Sequence, residues 1–185
     1  MPDPTLTDAL EEAYASAPAA RPIIHTMSIF YTGLGDEVYL YQGFDGDRVT
    51  AEGVPMKNFR LESPSRYHSG QVVEFTCLPF DVRLPNVNSQ GPAKGQLIFD
   101  GASGEIAQHM LAAIGNGVSV EVTYRAYLAG LELDGPQNLP PIVFGLENVS
   151  VNALQVRGDI TLPNLTNKRF PSETYTSTKF PALRR

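Results

Sequence analysis

Alternation of apolar and polar residues is the clearest pattern in this chain. It is strongest between Val118 and Leu128. Alternate side chains are expected to point to opposite faces. One face carries Val118, Val120, Val122, Tyr124, Ala126 and Leu128. The other face carries Ser119, Glu121, Thr123, Arg125 and Tyr127. A period of two held over eleven residues is typical of a β-strand. At about 3.3 Å per residue the strand is expected to span roughly 36 Å, which is long for a small domain.

Other segments show the same alternation, or an apolar run bounded by turn residues. They predict further strands at 23–31, 38–44, 48–52, 72–78, 96–100, 142–149 and 151–162. Asp45-Gly46-Asp47 is predicted to form a tight hairpin connection between the strands at 38–44 and 48–52. A proline-rich stretch, 79–92, separates the next two strands.

Two short helices are predicted. Residues 6–16 have an amphipathic stripe and end before Pro18, and residues 103–115 begin at a capping Ser103. Two short helices among about seven to nine strands favour a mainly β fold, either an antiparallel β-sandwich or a partly open barrel. We expect residues 1–20 to form the N-terminal helix and a linker, 21–165 the β-sandwich domain, and 166–185 an extended arm.

Composition adds little support for catalysis or for metal binding. Among 185 residues there are one cysteine and three histidines, too few for a disulfide framework or a cysteine-based zinc cluster. Cys77 alternates within an apolar strand and is expected to be an inert core residue. His25, His68 and His109 are scattered and are expected to be structural. We therefore predict no catalytic residue, cofactor or metal site.

The acidic residues do not form a specific motif either. Asp45-Gly46-Asp47 resembles the opening of a calcium loop, but Arg48 and Val49 follow where oxygen ligands are needed, so a turn is favoured. The N-terminus has neither a basic nor an apolar signal region, and no stretch is apolar for the 18 or so residues that a membrane span requires. We expect a protein made in a cytosol.

Charge is divided unevenly along the chain. The last 20 residues carry a net charge of +4, and the first 165 carry −10. An acidic body argues against tight binding of a phosphate backbone, which depends on Lys and Arg. The basic arm also contains aromatic residues and prolines, which favours packing on a surface. That surface is either the protein's own or a neighbour's.

Four segments together resemble one family: 6–17, 118–128, 167–175 and 179–183. The chain is similar to an uncharacterised family of tailed-bacteriophage and prophage proteins that look like minor tail or tail-tip proteins. The terminal Arg169-Phe170-Pro171, with Tyr175 and Phe180-Pro181 behind it, is the most specific part of this resemblance.

The resemblance implies a structural, non-enzymatic virion protein of a long-tailed phage. Such a protein is expected to form a ring at the distal end of the tail, to join the tail tube to the tip hub, and to leave a channel for DNA. Its partners are then other copies of itself, the tail tube protein and tail-tip hub proteins, and it contacts DNA only in transit. The resemblance also implies that the arm docks on an adjacent subunit, with the interface residues Lys168, Arg169, Phe170, Pro171, Tyr175, Lys179, Phe180 and Pro181. It is made in the host bacterial cytoplasm and resides in the virion.

Two other classes of function remain open at the level of sequence. A carbohydrate- or receptor-binding β-sandwich module is expected to expose aromatic residues in loops, for which Tyr31, Tyr39, Tyr41 and Tyr67 are available. The lack of tryptophan weighs against that class. A hydrolase with carboxylates on loops is the third reading, and no motif supports it.

Overall fold

The structure is a computed structural model that describes residues 7–16, 22–31, 33, 35, 37–43, 45–51, 53–83, 94–100, 119–152 and 155–161. These residues form one helix and ten strands. In chain order the elements are α1 (Asp8–Ser16), β1 (Ile23–Tyr31), β2 (Val38–Tyr41), β3 (Arg48–Val49), β4 (Pro55–Arg60), β5 (Val72–Cys77), β6 (Phe80–Arg83), β7 (Lys94–Asp100), β8 (Val120–Leu128), β9 (Ile142–Val151) and β10 (Gln155–Thr161).

All ten strands belong to one sheet, in the order β3-β4-β5-β2-β1-β8-β9-β10-β7-β6. The predicted mainly β class is confirmed, and the sheet is curled without closing into a barrel. Neighbouring strands are antiparallel except β2 and β5, which pair in parallel where Leu40 and Tyr41 meet Thr76 and Cys77. The sheet is therefore mixed, because the β3–β4 hairpin intervenes before β5 returns in the direction of β2.

One face of the sheet encloses the largest apolar cluster. Strand β1 contributes Met27 and Ile29, β8 contributes Val122, and β6 and β7 contribute Phe80 and Phe99. Although β6 is five positions away from β1 in the sheet order, the cluster joins them, so the sheet must curl round. Apolar burial of this kind is the main stabilising term for a chain that has no disulfide.

The opposite face carries a second, aromatic cluster. Phe59 of β4 is its centre, with ring centroids 4.9 Å from Phe75, 4.8 Å from Tyr127 and 5.6 Å from Tyr41. We call strands β3, β4 and β5 the wing; its Phe59 and Phe75 pack with residues of β2 and β8 in this cluster. Tilted rings at these distances add to the energy of apolar burial.

Helix α1 covers one end of the first face. Its buried Leu10 and Ala13 pack on Ala126 and Leu128 of β8. The backbone N–H of Leu10 is 3.4 Å from the hydroxyl oxygen of Thr7, which caps the helix start. The predicted N-terminal helix is confirmed over Asp8–Ser16.

Strand predictions were most accurate where the alternation was longest. The prediction at 23–31 matches β1, and the predicted long strand is observed over Val120–Leu128. Two strands were missed. Strand β4 reads as a polar segment with a proline at its start, and β6 lies inside the proline-rich stretch.

The predicted hairpin at Asp45-Gly46-Asp47 is wrong. Strand β3 pairs with β4, whereas β2 pairs with β1 and β5. The Asp47 carboxylate accepts a hydrogen bond of 3.1 Å from the backbone N–H of Asn58. This contact holds residues 45–47 against β4. The segment therefore connects β2 to β3, which are not neighbours in the sheet.

Three predictions fall on other parts of the chain. The helix predicted at 103–115, the arm at 166–185 and most of the proline-rich stretch lie outside the described residues.

Candidate functional site

A loop between β4 and β5 crosses the face of the sheet opposite the main core. We call residues 61–71 the strap. Glu62 of the strap accepts two hydrogen bonds from Arg125 of β8, one of 2.7 Å from Nε to Oε2 and one of 2.9 Å from Nη2 to Oε1. The side chains of Arg125 and Glu62 are only 2% and 8% exposed. The strap is therefore attached to the central strand by a buried, two-point ion pair.

The surroundings of Arg125 keep it charged. Burial alone acts to lower the pKa of its guanidinium, but the hydrogen bonds and the charge of Glu62 outweigh burial, so the pKa is raised above its usual value. Nη1 also donates a 2.8 Å hydrogen bond to the hydroxyl of Ser28 on β1. Since these donors point to protein acceptors, Arg125 acts as a tether between β1, β8 and the strap.

A second ion pair holds the middle of the strap. Arg66 forms a salt bridge with Glu121 of β8, and its guanidinium lies 4.1 Å from the ring centroid of Phe30. Tyr67 also packs against Phe30, with ring centroids 5.9 Å apart. Both partners of this salt bridge are more than 40% exposed, so solvent weakens the pair.

A polar contact on the main-core face links β1, β8 and α1. Nδ1 of His25 is 2.7 Å from the hydroxyl of Tyr124, and the two rings stack. Burial raises the pKa of the Tyr124 phenol, and a hydrogen bond with Tyr14 of α1 raises it further. Burial lowers the pKa of His25. Tyr124 therefore stays a neutral phenol that joins the helix to the sheet.

Three exposed apolar side chains lie in segments that contact or pair with Tyr124. We call Tyr14, Leu139 and Ile142 the Tyr124 patch; they are 54%, 49% and 38% exposed. Ile142 pairs directly with Tyr124 across β8 and β9. Leu139 follows Asn138, whose side-chain amide donates to the backbone carbonyl of Tyr124. Because Tyr124 contacts or pairs with each of these segments, they belong to one region of the surface.

The helix beside this patch is acidic. Asp8, Glu11 and Glu12 lie on α1, which contains no lysine or arginine. Asp134 is also exposed, in the turn after Leu131, and Leu131 packs against the same helix cluster. The patch is thus apolar at its centre and negatively charged at its border, which is the arrangement expected of a protein-binding surface.

The cysteine and the described histidines, which are the candidates for catalysis or metal binding, make contacts within the fold. Cys77 is half-buried, not fully buried as predicted, and its Sγ is 2.8 Å from the carbonyl oxygen of Gly43. His25 packs on Tyr124, and His68 lies in the strap at a φ of 48°. His109 is outside the described residues.

The tyrosines considered for carbohydrate binding do not form an exposed set. Tyr31, Tyr39 and Tyr41 are 8%, 7% and 1% exposed. They belong to the two large apolar clusters, and Tyr67 is half-buried against Phe30. The expectation of exposed loop aromatics at these positions is therefore wrong.

Two kinds of feature are absent from the described part of the chain. No helix there is long and apolar enough to cross a membrane. No three or more His, Cys, Asp or Glu side chains in those same segments lie together in a way that could hold a metal ion. The predicted interface residues of the arm, from Lys168 to Pro181, lie beyond Thr161, the last residue that the structure describes.

The ion pair of Arg125 and Glu62 was not predicted. The alternation placed Arg125 and Tyr127 on the face opposite the main core, but it gave no sign that the strap and the wing cover that face. The one available signal was Tyr127, a large aromatic residue two positions after Arg125 on the same face.

Comparison with known proteins gives a family without an assigned activity. No curated protein matched the chain. A family model described as a domain of unknown function (DUF1833) matches residues 9–175, which include most of α1 and all ten strands. Because the match covers nearly the whole chain, the protein belongs to the DUF1833 family.

Proposed function

We propose that the protein is a structural virion protein of a long-tailed bacteriophage. In this role it forms a ring at the distal end of the tail, joins the tail tube to the tip hub, and leaves a channel for DNA. It acts by assembly and not by catalysis, and it is carried in the virion after synthesis in the host cytoplasm. The similarity of its terminal segments to minor tail proteins suggested this role.

The observation that carries the proposal is an open sheet with two different edges. Strand β3, with its exposed Arg48 and Val49, lies at one edge, and β6 lies at the other. In β6 the alternate residues Asp81 and Arg83 are exposed. A ring needs a head-to-tail interface formed by two unlike surfaces, and a sheet with two unlike edges offers such surfaces.

The division of charge supports the same role. A body of net charge −10 and an arm of net charge +4 are unlike surfaces that can attract each other between identical subunits. An acidic channel wall also repels the phosphate backbone, so DNA can pass without being held by counterion release.

The arm is assigned to the contact between subunits. Phe170, Tyr175 and Phe180 supply aromatic anchors, while Lys168 and Arg169 supply positive charge. Pro171 and Pro181 restrict the backbone, which reduces the conformational entropy lost on docking.

Imaging of the purified full-length protein tests the ring. Light scattering gives the mass of the particle, and negative-stain microscopy shows its shape. We expect closed rings, alone or after mixing with a tail-tip hub protein. A protein that stays monomeric in both conditions would contradict the proposal.

Deletion of the arm tests its role. A chain lacking residues 167–185 is expected to keep the circular dichroism spectrum of the full chain and to lose ring formation. A second variant keeps the length of the arm but carries Ser in place of Phe170, Tyr175 and Phe180, and it should also fail to assemble. Rings formed by the deletion would exclude the arm from the interface, and rings formed by the serine variant would exclude the aromatic anchors.

A further inference from the structure

We propose that the Tyr124 patch receives the C-terminal arm of a neighbouring copy of this chain. The inference rests on the proposed function to the extent that both require the chain to associate with itself. It adds the receiving surface, which the division of charge alone does not identify.

The chemistry of the patch fits an aromatic ligand. Tyr14, Leu139 and Ile142 are each more than a third exposed although they are large and apolar. Tyr124 connects their three segments and keeps a neutral hydroxyl in contact with His25 and Tyr14. Aromatic rings such as Phe170 and Tyr175 gain from burial against apolar side chains of this size.

The border of the patch fits a basic ligand. Exposed Asp8 and Glu12 lie along α1, and Asp134 lies in the adjacent turn. The arm carries Lys168, Arg169, Lys179, Arg184 and Arg185 against a single acid, Glu173. Opposite charges arranged round apolar anchors fix the orientation of a docked peptide and speed its association.

The length of the chain after β10 permits the contact. The 24 residues after Thr161 can extend up to about 80 Å, enough to pass from one small domain to the next.

Photo-crosslinking locates the arm on the surface. The full chain is made with p-benzoylphenylalanine in place of Tyr175, and equal amounts of ¹⁵N-labelled and unlabelled protein are mixed before irradiation. Mass spectrometry then identifies the crosslinked peptides. We expect crosslinks to the peptides that contain Tyr14 or Leu139–Ile142, with one labelled and one unlabelled partner. Crosslinks that map elsewhere, or that form only within one copy, would overturn the inference.

Two matched substitutions test the apolar part of the contact. Ile142→Asp should weaken self-association, measured by sedimentation, by roughly tenfold or more, as expected for an anchor residue. Val72→Asp places the same charge on a valine that is 46% exposed in β5, which lies outside the patch and at neither edge of the sheet, and it serves as the control. Equal weakening by the two variants would contradict a contact at Ile142.

A charge exchange tests the border of the patch. Glu12→Lys and Lys168→Glu should each weaken association, and the chain with both changes should recover most of the loss. Failure of the double variant to recover would overturn the pairing, while Glu147→Lys, an exposed site on β9, controls for net charge.

The outcomes separate the inference from the proposed function. Rings with crosslinks outside the patch would leave the ring proposal standing and remove the patch. Crosslinks at the patch in a particle that is not a ring would support the patch as the docking surface and contradict the ring proposal. A chain that never self-associates would overturn both.

Discussion

Arg125 and Glu62 are 63 residues apart in sequence and joined by two hydrogen bonds beneath the strap. Both side chains are almost fully buried, so each charge has lost most of its hydration. The attraction between them offsets that loss, and the net contribution of such a pair to stability is small. Removing one partner is different, because the other charge is then left buried without compensation.

Glu62→Ala should therefore be strongly destabilising. We expect the free energy of unfolding to fall by about 3–5 kcal/mol, the usual cost of breaking a buried ion pair. Urea unfolding followed by circular dichroism measures the change.

The double variant Arg125→Met with Glu62→Leu is the control for this prediction. It removes both charges and keeps apolar volume, so it should recover most of the stability lost in the single variant. A single variant that loses less than about 1 kcal/mol would show that water reaches Arg125.

The exposed pair of the strap should behave differently. Arg66→Ala removes the salt bridge with Glu121 and the contact with the Phe30 ring. Exposed ion pairs and exposed cation–π contacts each contribute at most about 1 kcal/mol, so the total loss should stay below about 2 kcal/mol. Thermal unfolding under matched conditions gives the comparison, and a loss equal to that of Glu62→Ala would contradict it.

Gly46 lies where a side chain does not fit. A Cβ at this position would be 2.8 Å from the backbone nitrogen of Met56 and 2.8 Å from Cβ of Pro55. Gly46→Ala must therefore displace β3 from β4, and we expect a loss of about 1–3 kcal/mol. Gly35→Ala is the control, because a Cβ there meets open space and the change reduces only the entropy of the unfolded chain. If urea unfolding gives the same midpoint for both variants, the close approach at Gly46 is wrong.

Alternation predicted those strands that have one continuous face in a core. Strand β1 was placed correctly because its alternate residues Met27, Ile29 and Tyr31 all enter the main cluster. Strand β4 was missed because four of its six residues are half-buried whichever face they lie on, which leaves no clear period of two. The pairing of β3 was predicted wrongly because local turn residues do not reveal which strand a segment will pair with.

The Tyr124 patch could not be predicted from the sequence because it depends on contacts between distant segments. Ile142, Leu139 and Tyr14 are brought together by the pairing of β8 with β9 and by the docking of α1. Each is an ordinary apolar residue in its own segment, so no local pattern marks it. The acidic character of residues 8–12 was visible in the sequence, but its place beside an exposed apolar surface was not.

His25 makes the stability of the fold depend on pH. Burial lowers its pKa below the usual value near 6.5, so the unfolded chain binds a proton more readily than the folded protein. The stabilisation that comes from a neutral His25 is present above pH 6.5 and is lost as the pH falls towards the folded pKa. In that window the free energy of unfolding should decrease by up to about 1.4 kcal/mol per pH unit from this one group.

Urea unfolding of the wild type and of His25→Gln at pH 7.5, 6.5 and 5.5 measures this contribution. Glutamine keeps a polar group near the hydroxyl of Tyr124 but does not titrate, so its curve should be flatter than that of the wild type below pH 6.5. Because carboxylates titrate equally in both proteins, the difference between the two curves isolates His25. Parallel curves over the whole range would mean that His25 binds its proton equally well in the folded and unfolded states, contrary to its burial against Tyr124.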